Sequence, residues 1–278
     1  MKPSPFEMVC PNALNEVLDL LALHADAKVL AGGQSLVPMM NLRLVQPELL
    51  IDLNRVRGLS DISFADGELR IGAMVRQKAL FGHPLVERHS PLIAAAMPHI
   101  GHVQTRNRGT IGGSIAHADP AAELPLVVAA LNGTLVVQSK RGVRKISADS
   151  FFVDGLTTTL ESDELLTEIR LPSAPVGISV AFREFARRHG DFAIASACVQ
   201  LSDRELVAAL GGVGGRPHIC RDLSEAFSRG CPGSDRLSTL IAHEVGLLQP
   251  QSDLQASAEY RRHLACLALT KCLQQVMS

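Results

Sequence analysis

Two glycine-rich segments carry the residues of this chain whose types and spacing could do chemistry. Each places a Gly-Gly pair beside hydroxyl side chains, in residues 31–38 (AGGQSLVP) and 110–125 (TIGGSIAHADPAAELP). A turn without Cβ atoms lets backbone N–H groups converge on a phosphate, and Ser35, Thr110 and Ser114 could add hydroxyl donors. Binding a pyrophosphate would require the two turns to face each other. Neither segment has the spacing GxGxxG or GxxxxGKS, which disfavours a Rossmann or P-loop site.

Two acidic residues follow the second glycine pair. Glu123 could accept hydrogen bonds from ribose hydroxyls, whereas Asp119 could do the same or could cap a helix that starts near Pro120. The sequence leaves both roles of Asp119 open. One Gly-Gly pair alone is more often an ordinary tight turn, but two pairs with adjacent hydroxyls and carboxylates favour a nucleotide-binding function.

The histidines and cysteines do not form a recognisable metal motif. His99 and His102 lie close together and His117 follows the second glycine pair, but the sequence has no HExxH motif. None of the six cysteines forms a CxxC pair, so the pattern indicates neither a zinc nor an iron–sulfur site. We therefore expect no metal ligands and reduced thiols.

The composition excludes several classes of protein. The 278 residues carry a formal net charge of -1, with one Tyr and no Trp, which disfavours binding to nucleic acid. The sequence has no apolar run of about 18 residues, so we expect no transmembrane segment. The N-terminal residues lack the apolar region of a secretory signal, and we expect a cytoplasmic protein.

Hydrophobic periodicity predicts a mixture of helices and strands. A short strand over 28–31 leads into the first glycine pair, a loop covers 109–113, and hairpins span 62–71 and 134–146. Two prolines and a glycine make residues 172–177 the best domain boundary. Beyond this boundary the pattern predicts strands over 178–186 and 193–213 and helices over 222–229, 235–247 and 257–276. In the last helix, the run Arg261-Arg262-His263 is interpreted as a solvated face.

The glycine-rich segments and several other stretches resemble a known family. AGGQSLVPMMNLRL (31–44), IDLNRV (51–56), TRNRGTIGGSIAHADPAAELP (105–125) and RRHGDFAIAS (187–196) are similar to the flavoprotein subunit of molybdenum hydroxylases. The medium subunit of aerobic carbon monoxide dehydrogenase is the nearest type, and the flavin domain of xanthine dehydrogenase is more distant. The resemblance covers nearly the whole chain.

The resemblance implies an α+β fold with two domains. Residues 1–173 would form an FAD-binding domain of the vanillyl-alcohol-oxidase (PCMH) type, with lobes at about 1–57 and 58–173. Residues 177–278 would form a smaller C-terminal α+β domain, similar to that of carbon monoxide dehydrogenase flavoproteins, which packs near the isoalloxazine.

The resemblance also implies which residues bind the cofactor, with the FAD diphosphate between the two glycine-rich segments. The first segment would contribute Ala31, Gly32, Gly33, Gln34, Ser35 and Leu36, and the second Thr110, Ile111, Gly112, Gly113 and Ser114. Ile100 would line the pocket, Glu123 would hold the adenosine ribose, Asp119 is a further candidate, and Leu166 and Arg183 would touch the flavin. Relatives usually have Asn where Ser114 stands, but a hydroxyl can still donate to phosphate. The resemblance implies no catalytic acid or base.

The implied function is electron transfer within a complex. A small subunit with two [2Fe–2S] clusters would supply electrons from a large molybdopterin subunit, and FAD would pass them to NAD, a quinone or oxygen. The complex would be a heterotrimer, dimerised in turn. Two alternatives remain open at this point, a stand-alone FAD-dependent oxidoreductase and a flavin-free assembly subunit.

Overall fold

A short parallel sheet places the first glycine-rich segment. The computed structural model describes residues 1–203 and 205–278, and its first lobe contains a three-stranded sheet in the order β1-β3-β2. The strands are β1 (Glu7–Val9), β2 (Lys28–Leu30) and β3 (Leu49–Asp52), and the helices are α1 (Leu14–Leu23) and α2 (Leu36–Asn41). Val17, Leu18 and Leu21 of α1 are buried in the core of this lobe together with Ile51 of β3. The first glycine-rich segment therefore begins at the carboxyl end of β2, in a sheet that packs against α1.

A five-stranded antiparallel sheet, in the order β4-β5-β10-β6-β7, forms the frame of the second lobe. Its strands are β4 (Ile62–Ala65), β5 (Glu68–Gly72), β6 (Thr134–Ser139), β7 (Gly142–Ser147) and β10 (Leu165–Pro172), and a small separate sheet pairs β8 (Phe152–Asp154) with β9 (Thr157–Thr158). Antiparallel pairing of β4 with β5 and of β6 with β7 confirms both predicted hairpins.

Short helices cover one part of this second sheet. They are α3 (Gln77–Leu80), α4 (Pro84–His89), α5 (Pro91–Ala96), α6 (Val103–Arg108), α7 (Ile111–His117), α8 (Glu123–Ala130) and α9 (Ala148–Phe151), and a 3-10 turn spans Leu53–Arg55. Pro84 and Pro91 occupy the first positions of their helices, where a missing N–H costs no hydrogen bond. Every residue of α8 is buried, and this helix packs against α5 and α7 in the core of the second lobe.

A second antiparallel sheet and three helices form the C-terminal part. Its strands β11 (Ser179–Phe185), β12 (Ala195–Leu201), β13 (Leu206–Gly211) and β14 (His218–Ile219) pair in chain order, and the helices are α10 (Arg221–Ser228), α11 (Ser234–Gly246) and α12 (Ala258–Met277). One face of the sheet packs against α12, whereas Phe182, Cys198 and Ala209 on the other face join the core of the second lobe. No described helix, α12 included, combines the length and the apolar character needed to cross a membrane.

Arg261 on α12 corrects one sequence-based interpretation, because it is buried and not part of a solvated face. Its guanidinium donates to the carbonyl oxygens of Ile194 (2.7 Å) and Gly212 (3.0 Å) and to the carboxylate of Asp253 (2.7 Å). The hydrogen bond from Arg261, together with two backbone N–H groups, lowers the pKa of Asp253 to about 2. Arg261 thus joins α12 to two loops of the C-terminal sheet.

Replacing Arg261 with Met is expected to destabilise the chain by about 3 kcal/mol, because two carbonyl oxygens lose their donor. Urea unfolding of the two proteins measures this difference. Arg229→Met is the matched control, since that exposed arginine pairs with Glu225 one turn away, and its cost should stay within about 0.5 kcal/mol. Equal effects of the two substitutions would contradict the assigned role.

Candidate functional site

The first glycine-rich segment forms a turn with free N–H groups. Residues 31–35 lie between β2 and α2, and Gly33 has φ +73°, a conformation in which side chains with a Cβ are strained. Within the part of the chain that the structure describes, the N–H groups of residues 32–36 donate to no protein acceptor. Successive free N–H groups in a turn make a concave site for an anion.

The two glycine-rich segments contact each other, as a shared ligand requires. A Cβ on Gly32 would overlap the carbonyl oxygen of Arg108 and lie 2.8 Å from Cα of Gly109. Arg108 and Gly109 directly precede the second segment. A Cβ on Gly113 would lie 3.5 Å from Cβ of Ala31 in the first segment. Gly32 therefore permits close packing, and the missing Cβ of Gly113 keeps a side chain out of the gap beside Ala31.

The second glycine-rich segment is helical where a loop was predicted, and this changes what it can offer a ligand. α7 begins at Ile111, and its first N–H groups already have acceptors: Ile111 donates to Val75, Gly112 to Ala73, Gly113 to the Thr110 hydroxyl oxygen and Ser114 to the Thr110 carbonyl. Gly112 is also packed against Ala73 too closely to accommodate a Cβ. The segment can therefore contribute the hydroxyls of Thr110 and Ser114 more readily than main-chain donors.

Asn54 and Arg76 tie the two segments together, and the sequence analysis did not single out either of them. Asn54 donates from Nδ2 to the carbonyl oxygen of Ala31 (3.2 Å) and also contacts Asp52. Arg76 donates to Asn54 Oδ1 and to the carbonyl oxygen of Arg108. Partial burial, followed by the nearby charge of Arg108, lowers the pKa of Arg76, while Asp52 opposes this effect. Asn54 lies in the IDLNRV stretch, which was the available sequence signal.

Because Arg76 connects both segments, Arg76→Met is expected to weaken binding of FAD, the cofactor that the sequence resemblance implies, about tenfold, or about 1.4 kcal/mol. The Met side chain keeps much of the volume but donates no hydrogen bonds, so the spacing of the segments is no longer fixed. FAD titration of the flavin-free protein measures the change. Arg57→Met, at an exposed arginine of the same part of the chain, is the control and should bind FAD normally.

Glu123 is a buried carboxyl at the start of α8, only 5% exposed. Burial, followed by the charges of Glu184 and Asp119, raises its pKa to about 8, although a backbone hydrogen bond opposes the shift. Asp119 accepts a hydrogen bond from the N–H of Ala121 (2.9 Å), but the helix itself begins at Glu123, so Asp119 forms a local turn and does not cap α8.

Glu184 lies near Glu123 and Asp119, and these three carboxyl groups form an acidic cluster. His99 contacts Glu184, and sequence reasoning missed both Glu184 and His99 as site residues. Glu184 lies on β11 of the C-terminal sheet, with its Oε1 3.4 Å from Nδ1 of His99. Its other oxygen, Oε2, is buried and has no hydrogen-bond partner among the described residues. A buried unpartnered carboxylate oxygen indicates a missing donor at this place. No motif in the sequence could have shown that Glu184 faces Glu123.

The remaining predicted residues lie in different environments. Ile100 is buried, and the carbonyl oxygens of Ile100 and Gly101 accept hydrogen bonds from Arg106 (2.6 and 2.9 Å). Leu166 is buried in β10 within the core of the second lobe. Arg183 is exposed on β11 and donates to Gln275 of α12 (2.9 Å), on the face of the strand opposite Phe182. The geometry therefore groups Ile100 with the helices near the glycine segments and gives no comparable support for Arg183.

Two family patterns together span almost the entire chain. The pattern described as "FAD binding domain in molybdopterin dehydrogenase" matches residues 4–174, and "CO dehydrogenase flavoprotein C-terminal domain" matches residues 180–276. The chain belongs to the FAD-binding subunits of molybdopterin dehydrogenases. The glycine-rich segments described above both lie within the FAD-binding part of this flavoprotein subunit.

Individual relatives match over nearly their full length. The flavoprotein subunit is 40% identical to the nicotine 6-hydroxylase medium subunit of Paenarthrobacter nicotinovorans, over 95% of this chain and 94% of the relative. It is 35% identical to the carbon monoxide dehydrogenase medium chain of Hydrogenophaga pseudoflava, over 95% and 94% respectively. Among solved structures, carbon monoxide dehydrogenase from Hydrogenophaga pseudoflava superposes with a TM-score of 0.96 at 34% identity, covering 100% of this chain and 99% of that chain. Quinoline 2-oxidoreductase from Pseudomonas putida 86 gives a TM-score of 0.94 at 35% identity, again covering 100% and 99%.

These matches confirm the predicted family, the fold class and the cofactor. The protein is an FAD-binding medium subunit of the molybdenum hydroxylase class and belongs to the oxidoreductases. The two-domain α+β fold agrees with that of carbon monoxide dehydrogenase. The stand-alone oxidoreductase and the flavin-free assembly subunit are not favoured.

Proposed function

We propose that the flavoprotein subunit holds the FAD diphosphate between residues 31–36 and 110–114. The free N–H groups of residues 32–36 would donate to the phosphate oxygens from one side. The hydroxyls of Thr110 and Ser114 would donate from the other side, next to Gly113, which carries no Cβ. The observation that carries this proposal is the set of free N–H groups in residues 32–36, in a turn that lies against the second segment where Gly113 has no Cβ.

The acidic cluster supplies the second half of the proposed site. Glu123 would accept hydrogen bonds from the adenosine ribose hydroxyls. The buried, unpartnered Oε2 of Glu184 fits a hydroxyl donor of the same cofactor, and Asp119 remains a further candidate. Since Glu184 belongs to the C-terminal sheet, both parts of the chain would contribute to FAD binding.

Ile100, Leu166 and Arg183 remain proposed contacts on the flavin side. Arg106 fixes the backbone around Ile100 through two hydrogen bonds, which supports a defined position for that residue. For Arg183, the bond to Gln275 would have to open before its guanidinium could reach a flavin.

When bound, FAD would supply redox chemistry that links one-electron donors to two-electron acceptors. This chain would hold it near a partner subunit whose [2Fe–2S] clusters deliver electrons from a large molybdopterin subunit. The external acceptor would be NAD, a quinone or oxygen, and the heterotrimer would dimerise. The relatives named as medium subunits or medium chains support assembly with further subunits.

We propose that the substrate is selected outside this chain. Relatives named for nicotine, caffeine and carbon monoxide are 40%, 36% and 35% identical to it, so similarity does not follow one substrate chemistry.

We also propose that the boundary between the two domains lies at residues 173–177. The first family match ends at residue 174 and the second begins at residue 180, which supports this boundary.

Titration of the flavin-free chain with FAD tests the proposal. We expect close to one FAD per chain in the absorption spectrum and in the mass of the released cofactor. FMN, which lacks the adenosine half and one phosphate, should bind much more weakly. If neither the isolated chain nor the purified complex retained FAD, the proposed site would be wrong.

A further inference from the structure

Three potential metal ligands meet in the C-terminal part of the chain. His218 on β14, Cys220 directly before α10 and Glu244 on α11 bring their ligand atoms within 4.8 Å of one another. His218 Nε2 lies 2.9 Å from Glu244 Oε2. The three residues come from separate elements, so the fold and not a local sequence motif assembles them.

Two of the three candidate ligands are buried, and the third is partly exposed. The side chain of Glu244 is 1% exposed and Cys220 is fully buried, whereas the side chain of His218 is 24% exposed. A divalent cation would stabilise a thiolate and a carboxylate placed side by side at this buried position.

Backbone hydrogen bonds hold the candidate ligands in place. Oε1 of Glu244 accepts from the N–H of Leu223 (3.1 Å), which directs Oε2 toward His218. The N–H of Cys220 donates to the carbonyl oxygen of Ala208 (2.9 Å) and anchors this residue to β13. Such supporting bonds orient ligands at metal sites.

A cavity lies beside two of the three candidate ligands. A cavity of about 560 Å³ is lined by His218 and Glu244 together with Asp222, Arg216 and Leu248. Water from this cavity could complete a four-coordinate site. Nitrogen, sulfur and oxygen ligands in a set of three with one open position suit Zn²⁺ better than Mg²⁺ or Ca²⁺, which prefer oxygen ligands alone.

We infer that His218, Cys220 and Glu244 form a zinc-binding site in the C-terminal part of this chain. The ion would link β14 and the start of α10 to α11, with a water molecule as its fourth ligand. The site is separate from the residues proposed to hold FAD, so the inference does not depend on that proposal.

Zinc titration of the purified full-length chain, after removal of metal with a chelator, tests the site. We expect one Zn²⁺ per chain with a Kd of about 1 μM or below in competition with a chromophoric chelator. Co²⁺ in place of Zn²⁺ should give the charge-transfer absorption of a cobalt–thiolate bond. Cys220→Ser should remove this absorption and weaken zinc binding at least about tenfold, whereas Cys266→Ser on α12 should change neither.

His218→Gln provides a second variant in case Cys220→Ser does not fold. His218 is partly exposed, and Gln can still donate to Glu244 while offering only a weak metal ligand. This variant should bind FAD as the parent does and lose zinc. Failure of the parent chain to bind zinc, or equal binding by the parent and both variants, would show that the cluster is only a capped ion pair.

Discussion

Gly113→Val should lower FAD affinity by at least about 100-fold, or about 2.7 kcal/mol, and leave the flavin-free fold largely intact. A Cβ at this position lies 3.5 Å from Cβ of Ala31, so the branched methyl groups of Val would fill the space between the two segments. The same Cβ lies 2.8 Å from the Thr110 hydroxyl oxygen, which must rotate away. Flavin absorbance of the purified protein and FAD titration measure the loss.

Two further variants separate this effect from a general loss of stability. Gly113→Ala adds only the Cβ and should cause a smaller loss of affinity than Val. Gly233→Val is the matched control, because Gly233 precedes α11 in an extended conformation and a Cβ added there would meet nothing within 4 Å. If Gly113→Val kept stoichiometric FAD, the diphosphate would not lie between these segments.

Glu123→Gln should remove a pH dependence from the stability of the flavin-free chain. Burial raises the pKa of Glu123 from 4.5 to about 8, so the folded chain binds this proton more tightly than the unfolded chain. The contribution of this bound proton to the free energy of unfolding is therefore complete below about pH 4.5. It decreases as the pH rises and is lost above about pH 8. Between pH 6 and 8, the parent should lose about 2 kcal/mol relative to Glu123→Gln. Urea unfolding at both pH values, with parent and variant compared at each, measures this difference.

The same carboxyl predicts how FAD affinity depends on pH. In the proposed contact, ribose hydroxyls would donate to the ionised form of Glu123. At a pH where the carboxyl of the flavin-free chain is protonated, FAD binding should therefore release this proton. The affinity of the parent should rise between pH 6 and 8, by up to about tenfold per pH unit, and that of Glu123→Gln should not. Parallel pH profiles for the two proteins would contradict the ribose contact.

The sequence predicted the parts of the fold that depend on local patterns. Asp66-Gly67 and the turn at 140–142 correctly marked two hairpins, because turn residues between alternating strands define such pairs locally. The first glycine pair was correctly placed after a short strand, and Gly33 adopts the positive φ that such a turn uses. The family resemblance correctly gave the cofactor and the class of enzyme.

Long-range packing explains what the sequence could not show. The second glycine pair lies in the first turn of α7, where the N–H groups of Ile111 and Gly112 bond to Val75 and Ala73 on a neighbouring segment that no local pattern connects to it. Arg261 is buried because loops that are distant in sequence present carbonyl oxygens to it. Glu184 meets Glu123 only through the packing of the C-terminal sheet against the second lobe. Each of these features depends on tertiary contacts rather than on residue type or spacing.

The structure of the chain with bound FAD tests the central claim most directly. We expect the diphosphate between residues 31–36 and 110–114, with the phosphate oxygens accepting hydrogen bonds from the N–H groups of residues 32–36 and a ribose hydroxyl donating to Glu123. Electron density that placed the diphosphate away from both glycine-rich segments would contradict the account.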